Sequence, residues 1–347
     1  MGMRKLKKMI IGGVTAILVL LAGCQEEEKA VADLVESKNI EEVGQVDVAE
    51  INDYWSQPID SEICQTIGEC RDLGDTYGSD YFTDFSGTLK QRDNRAYLSV
   101  NTEEDKSVLA FAANDMMDED NSIARYEIIE DQFVLTKGEE ESVFKSIADV
   151  VLALFDRNKG NLQILDFRED IYPNANPYDG KLMLPSNLIT HWLQSATIST
   201  LIHEYGHLLL WNKADFVNSD TCPEDQFHLK KYWECYNTGS YMNLYYQAFL
   251  KDYEEQWLDA GIKTTEERVA FYEKNKESFV SVYATVDPYE DIAESFSHFM
   301  LTPYNDSPQS ISEEKVNFFY QFPEWVEYRA FVLKELKDRK EDTGSFY

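Results

Sequence analysis

His203, Glu204 and His207 lie in the segment His203-Glu204-Tyr205-Gly206-His207, between Leu201-Ile202 and Leu208-Leu209-Leu210. On a helix, positions i and i+4 share a face, so the two imidazoles point at one locus that suits a Zn²⁺ ion. Glu204 falls on the same side but rotated. That offset fits a general base acting on a metal-held water better than a further ligand. The apolar flanks would bury the helix, where two histidines and a carboxylate are costly without a cation. The plainer reading is an amphipathic helix with two core histidines, and a metal site needs a third ligand from elsewhere.

A second stretch supplies candidates: Tyr283-Ala284-Thr285-Val286-Asp287-Pro288-Tyr289-Glu290-Asp291-Ile292-Ala293-Glu294-Ser295-Phe296. Asp287 can cap a helix with Pro288 at its first position and Glu290 three residues after the cap. Glu290 and Glu294 then share one face, while Ile292, Ala293, Phe296 and Phe299 supply packing. Two inward carboxylates on an apolar helix need cations or donors, which zinc and a zinc-bound histidine would provide. Glu290, Glu294 and, two turns beyond Glu290, His298 are the candidates for third ligand; without the first motif, a solvated acidic face would be the simpler reading.

These residues together resemble the gluzincin metallopeptidases, nearest the anthrax lethal factor-like group that includes secreted Pro-Pro endopeptidases. The resemblance covers roughly residues 140 to 340 and is strongest at the two motifs. It implies an α+β, zincin-like domain, mainly helical around the motif helix with a small sheet. It also implies one zinc ion on His203, His207 and Glu290, with Tyr283, seven residues before Glu290, stabilising the transition state. Glu204 would take the water's proton and pass it to the leaving amine of a protein or peptide substrate. Tyr283 would donate to the oxyanion, and Glu294 would orient a zinc-bound histidine from behind. The connection between the motifs is long and carries a cysteine pair, and Asp287-Pro288 and Asp291-Ile292 replace residues more usual in the group. These departures leave substrate preference open. The alternative is a catalytically silent surface lipoprotein whose zinc site is structural and which acts in binding or adhesion; a structural site, however, does not need Glu204.

The rest of the chain must deliver and hold these residues. Arg4, Lys5, Lys7 and Lys8 precede an apolar run that ends Leu21-Ala22-Gly23-Cys24, the pattern of an export signal over residues 1–23 with a lipobox. Cys24 would be lipidated, which places the folded part outside the cytoplasm on a bacterial membrane, with substrates at the cell surface or envelope. Removing residues 1–23 takes away four basic residues and no acidic one, so the net charge falls from −32 to −36. Such acidity argues against nucleic acid as a partner. Residues 24–50 read as a flexible acidic tether. Four further cysteines, Cys64, Cys70, Cys222 and Cys235, allow two local disulfides, although sequence does not fix the pairing.

Residues 51–138 read as a small β-rich region, with strand-like patterns at 95–100, 107–114 and 124–136. Residues 139–347 form the expected metallopeptidase domain. Its pattern predicts a helix at 142–156, strands at 162–167 and 181–184 separated by a turn at 172–180, and the metal helix from about 195 to 211. A polar connection over 212–240, helices at 241–257 and 265–280 and closing helices over 312–337 complete it.

Overall fold

The computed structural model describes residues 53–99, 121–130, 132–139, 141–155, 161–169, 173–187, 194–229, 233–251 and 264–346. The export signal at 1–23, Cys24, the tether at 24–50 and the strand expected at 107–114 lie outside them. The chain divides into two units, 1–57 and 58–347. Of the first, the described part is a helical turn in which Ser56 N donates to Asp53 O at 3.2 Å. The second carries the elements that build the site.

Helices α1 (Ile67–Gly78) and α2 (Phe82–Ser99) occupy a stretch that the sequence suggested was β-rich. Residues 95–99 continue α2 rather than forming a strand. The buried residues Phe82, Phe85 and Leu89 set a helical period, and no proline before residue 100 interrupts it. Once a helix is under way each further residue adds a hydrogen bond, so a short alternation at its end does not override it.

The pattern at 124–136 resolves into two strands, β1 (Ser122–Ile129) and β2 (Gln132–Gly138), joined through Glu130 at φ 49°. Helix α3 (Ser142–Leu154) follows, buried along Phe144, Ile147, Val151 and Leu154. Then come β3 (Ile164–Arg168), β4 (Asn174–Asn176) and β5 (Lys181–Pro185). The expected turn at 172–180 thus contains a short strand. The five form one sheet in the order β2-β1-β3-β5-β4, with β3 and β5 parallel and the other neighbours antiparallel. Because β1 pairs with β3, the hairpin is continuous with the following segment and not a body of its own. Asp166 pins this joint: it accepts from Ser122 Oγ at 2.6 Å and Arg168 Nε at 2.9 Å, and Arg125 Nη2 is 3.1 Å away. Gly180 makes the entry to β5 at φ +64°, where a Cβ would stand 1.9 Å from Asn161 O.

Helix α4 (Gln194–Leu210) is buried on every side from Thr197 onward, as expected of a central helix. The chain then forms a three-stranded sheet, β6 (Phe216–Asn218), β7 (His228–Leu229) and β8 (Glu234–Tyr236), in the order β6-β8-β7. Helix α5 (Tyr241–Tyr245) runs into a π-helical turn (Tyr246–Leu250), and α6 spans Thr265–Asn275. A 3₁₀ turn (Tyr283–Thr285) leads to α7 (Pro288–Leu301), which packs directly on α4. At the crossing Gly206 lies close under Phe296, where a Cβ would come within 3.1 Å of the ring.

Helices α8 (Ile311–Asn317) and α9 (Pro323–Thr343) close the fold. Arg329 on α9 is wholly buried, donating to Phe299 O, Thr302 O and Asp75 Oδ1, each at 2.7 Å. It therefore ties α1 to the end of α7, which makes the N-terminal helices part of the α+β unit. Among the described residues, no helix is long and apolar enough to cross a membrane.

Candidate metal centre

Two helices deliver the ligands. His203 and His207 project from one face of α4, and α7 presents Glu290 from its first turn. That turn is fixed by its cap: Asp287 accepts from Tyr289 N at 2.9 Å and Glu290 N at 3.1 Å, with Pro288 at the first helical position. With its own backbone N–H capped, Glu290 turns its carboxylate toward the histidines.

The three ligand atoms form a small triangle. His203 Nε2 is 3.1 Å from Glu290 Oε2, His207 Nε2 is 3.3 Å from the same oxygen, and the two Nε2 atoms are 3.2 Å apart. A tetrahedral zinc with bonds of about 2.0–2.1 Å requires donor atoms separated by about 3.3 Å. The triangle therefore has the size of one face of a zinc tetrahedron, and it leaves the fourth corner to another group. Among the described residues, this is the group of His, Cys, Asp or Glu side chains close enough to share a metal ion.

Glu294 and His298 fall outside the triangle. Glu294 lies behind His203, with Oε1 2.8 Å from Nδ1, although the approach is bent from ideal alignment. The proton placement that fits puts N–H on Nδ1 facing Glu294 and leaves the Nε2 lone pair toward the centre. Both residues are 1 % exposed, so the carboxylate gains its partner away from water. His298, a turn further along, is half-buried.

Glu204 is buried beside the histidines, and Tyr283 stands at the rim, 41 % exposed. The Tyr283 hydroxyl donates to Glu290 Oε1 at 3.3 Å. Its ring centroid is 5.8 Å from that of His203. The local field is strongly negative: the Glu290 charge first, with those of Glu204, Asp287 and Glu294, pushes the Tyr283 hydroxyl well above its ordinary pKa. Burial would raise the Glu290 carboxyl, but the charge and hydrogen bonds of the His207 and His203 imidazoles in their protonated form outweigh it and hold it far below the usual carboxylate range. A divalent cation would take the place of those protons and meet the lone pairs of all three groups.

A support around the centre left no signature in the sequence. Glu234 on β8 is fully buried and accepts from Trp211 Nε1 at 3.3 Å, from Tyr236 OH at 3.0 Å, and from the hydroxyls of Tyr178 and Tyr289. Trp211 immediately follows α4, and Tyr289 immediately precedes Glu290. Their rings stack at 4.1 Å and 11°. One carboxylate thus joins the end of the histidine helix to the start of the glutamate helix. Burial, followed by the Glu234 charge, pushes the Tyr236 hydroxyl up, so it stays protonated and can donate. In the sequence, Glu234 is one acid in a polar connection and its partners read as ordinary core aromatics.

Behind α7, Asp291 and Lys315 form a buried ion pair at 2.6 Å, with Tyr245 OH donating to Asp291 Oδ2 at 3.1 Å. Cys64 is paired with Cys70 and Cys222 with Cys235, at Cα separations of 5.2 and 5.6 Å. The second pair ties the connection between β6 and β7 to β8, the strand that carries Glu234. Comparison of the chain with protein-family models, with curated proteins and with solved structures returns no match, so the chemistry of this centre rests on its own atoms.

Proposed function

We propose that the chain is a zinc-dependent endopeptidase of zincin type, lipid-anchored at Cys24 and facing the outside of a bacterial cell. The observation that carries this reading is the triangle of His203, His207 and Glu290, sized for a tetrahedral zinc, with Glu204 one residue from a ligand and Tyr283 at the rim. When bound there, a zinc ion would lower the pKa of water toward neutrality and polarise a carbonyl. To that ion His203 and His207 would present their Nε2 lone pairs, with Glu294 holding the His203 tautomer. As a water oxygen adds to the scissile carbonyl carbon, a Glu204 carboxylate oxygen takes its proton. When the C–N bond breaks, the same carboxyl returns a proton to the amine nitrogen. The Tyr283 hydroxyl donates to the oxyanion as charge develops there, an interaction made mainly in the transition state.

The anchor and location rest on Leu21-Ala22-Gly23-Cys24 and the basic run before it. The reading is tested with zinc-loaded protein on a mixed peptide library, wild type beside Glu204→Gln. Cleavage by the wild type and loss of cleavage at full zinc content in Glu204→Gln is the expected result. Equal cleavage by both, or none by a wild type that holds its zinc, overturns it.

A further inference from the structure

Among the described residues three arginines are buried: Arg168, Arg268 and Arg329. Two are paired with carboxylates, Arg168 with Asp166 at 2.9 Å and Arg329 with Asp75 at 2.7 Å. Arg268 is different. It is 8 % exposed and, among the described residues, has no carboxylate within ion-pair distance; its Nη1, like that of Arg329, is shut off from solvent with no hydrogen-bond partner among them. This occurs in a chain with 64 acidic residues, where a carboxylate partner would be easy to supply. A buried guanidinium with no carboxylate beside it is costly, and an arriving acceptor of opposite charge relieves that cost.

Its position says where they would arrive. Arg268 is on α6, which packs against the 283–285 turn that carries Tyr283. Burial lowers its pKa, opposed by the nearby charges of Asp287 and Glu290, so the metal centre is its electrostatic neighbourhood. Those groups favour the cation without pairing with it.

We infer that Arg268 is a specificity-determining residue of the proposed peptidase, whose guanidinium receives a carboxylate of the bound peptide beside Tyr283. A guanidinium offers two parallel N–H groups that match a carboxylate, and a counter-charge compensates a buried cation better than a neutral carbonyl does. The carboxylate has two possible sources, the C-terminus of the substrate or an Asp or Glu side chain within it. The inference rests on the peptidase reading.

The test uses zinc-loaded full-length Glu204→Gln protein in detergent, which should bind peptides without cutting them, and affinity selection from three pools of acetylated heptapeptides. One pool has free C-termini and no acidic residue; the second is amidated with no acidic residue; the third is amidated with one internal Asp or Glu. The expected result is retention of one carboxylate-bearing pool over the neutral pool by roughly ten- to a hundredfold. Enrichment of the first pool assigns the C-terminus and of the third the side chain. Adding Arg268→Gln abolishes the preference, and Arg268→Lys restores part of it. Because Arg268→Gln removes an unpaired buried charge, its melting temperature is expected to match or exceed the parent's, which separates lost recognition from lost folding. Equal retention of all pools, or a preference that survives Arg268→Gln, overturns the inference and leaves the peptidase reading standing. Retention of no peptide overturns both.

Discussion

His203 Nε2 and Glu290 Oε2, 87 residues apart in the chain, stand 3.1 Å from each other across the α4–α7 crossing. Neither helix alone gathers the three donor atoms. Their packing does, and the residues that set it include some outside the triangle.

Glu294 is the nearest of these. Removing its contact with His203 Nδ1 by Glu294→Ala is expected to weaken zinc binding about 10- to 100-fold while the protein still folds. Zinc titration against a competing chelator measures this; unchanged affinity would mean that His203 is oriented by packing alone.

Glu234 is expected to govern stability as well as the centre. Glu234→Ala would leave the Tyr236, Tyr289 and Trp211 donors facing a cavity, with an expected loss of about 3–5 kcal/mol. Urea unfolding beside the exposed control Glu224→Ala gives the comparison. Equal stability of the two variants would remove Glu234 from its supporting role.

The buried Asp291–Lys315 pair makes a sharper prediction. Lys315→Met alone strands a buried carboxylate and is expected to cost about 3–5 kcal/mol, whereas adding Asp291→Asn restores much of that loss. The directions agree: burial raises Asp291 and lowers Lys315, so each charge depends on the other. A double-mutant cycle by chemical denaturation reads the coupling, and additive losses would contradict it.

Asp166 sets a pH dependence. Burial would raise its pKa, but the hydrogen bonds from Ser122, Arg125 and Arg168 and the charge of Arg168 hold it below the ordinary value. A depressed folded pKa means stability that is complete above the unfolded value, about 4, and is lost as pH falls through the folded value. The stability gap between wild type and Asp166→Asn should therefore be widest near neutral pH and shrink below about pH 4. A gap independent of pH would contradict the assignment.

The two motif helices were legible because their signals are local: a histidine pair at i and i+4, and an Asp-Pro cap with a carboxylate three residues on. The α3 stripe and the strands β3 and β5 were legible from periodicity for the same reason. Residues 95–99 misled because a six-residue alternation says nothing of the helix already running from Phe82. Arg329, Glu234 and Arg268 were illegible since each gets its meaning from residues distant in the chain. Arg329 reaches Asp75 across 254 positions, and no spacing rule encodes such a contact.

The most direct test of the account is zinc stoichiometry and affinity of the purified protein, wild type beside Glu290→Ala. The expected result is one zinc per wild-type chain and a loss of affinity of more than about a hundredfold in the variant, because one corner of the triangle is gone. A wild type that binds no zinc, or a Glu290→Ala variant that binds it equally well, would contradict the metal centre.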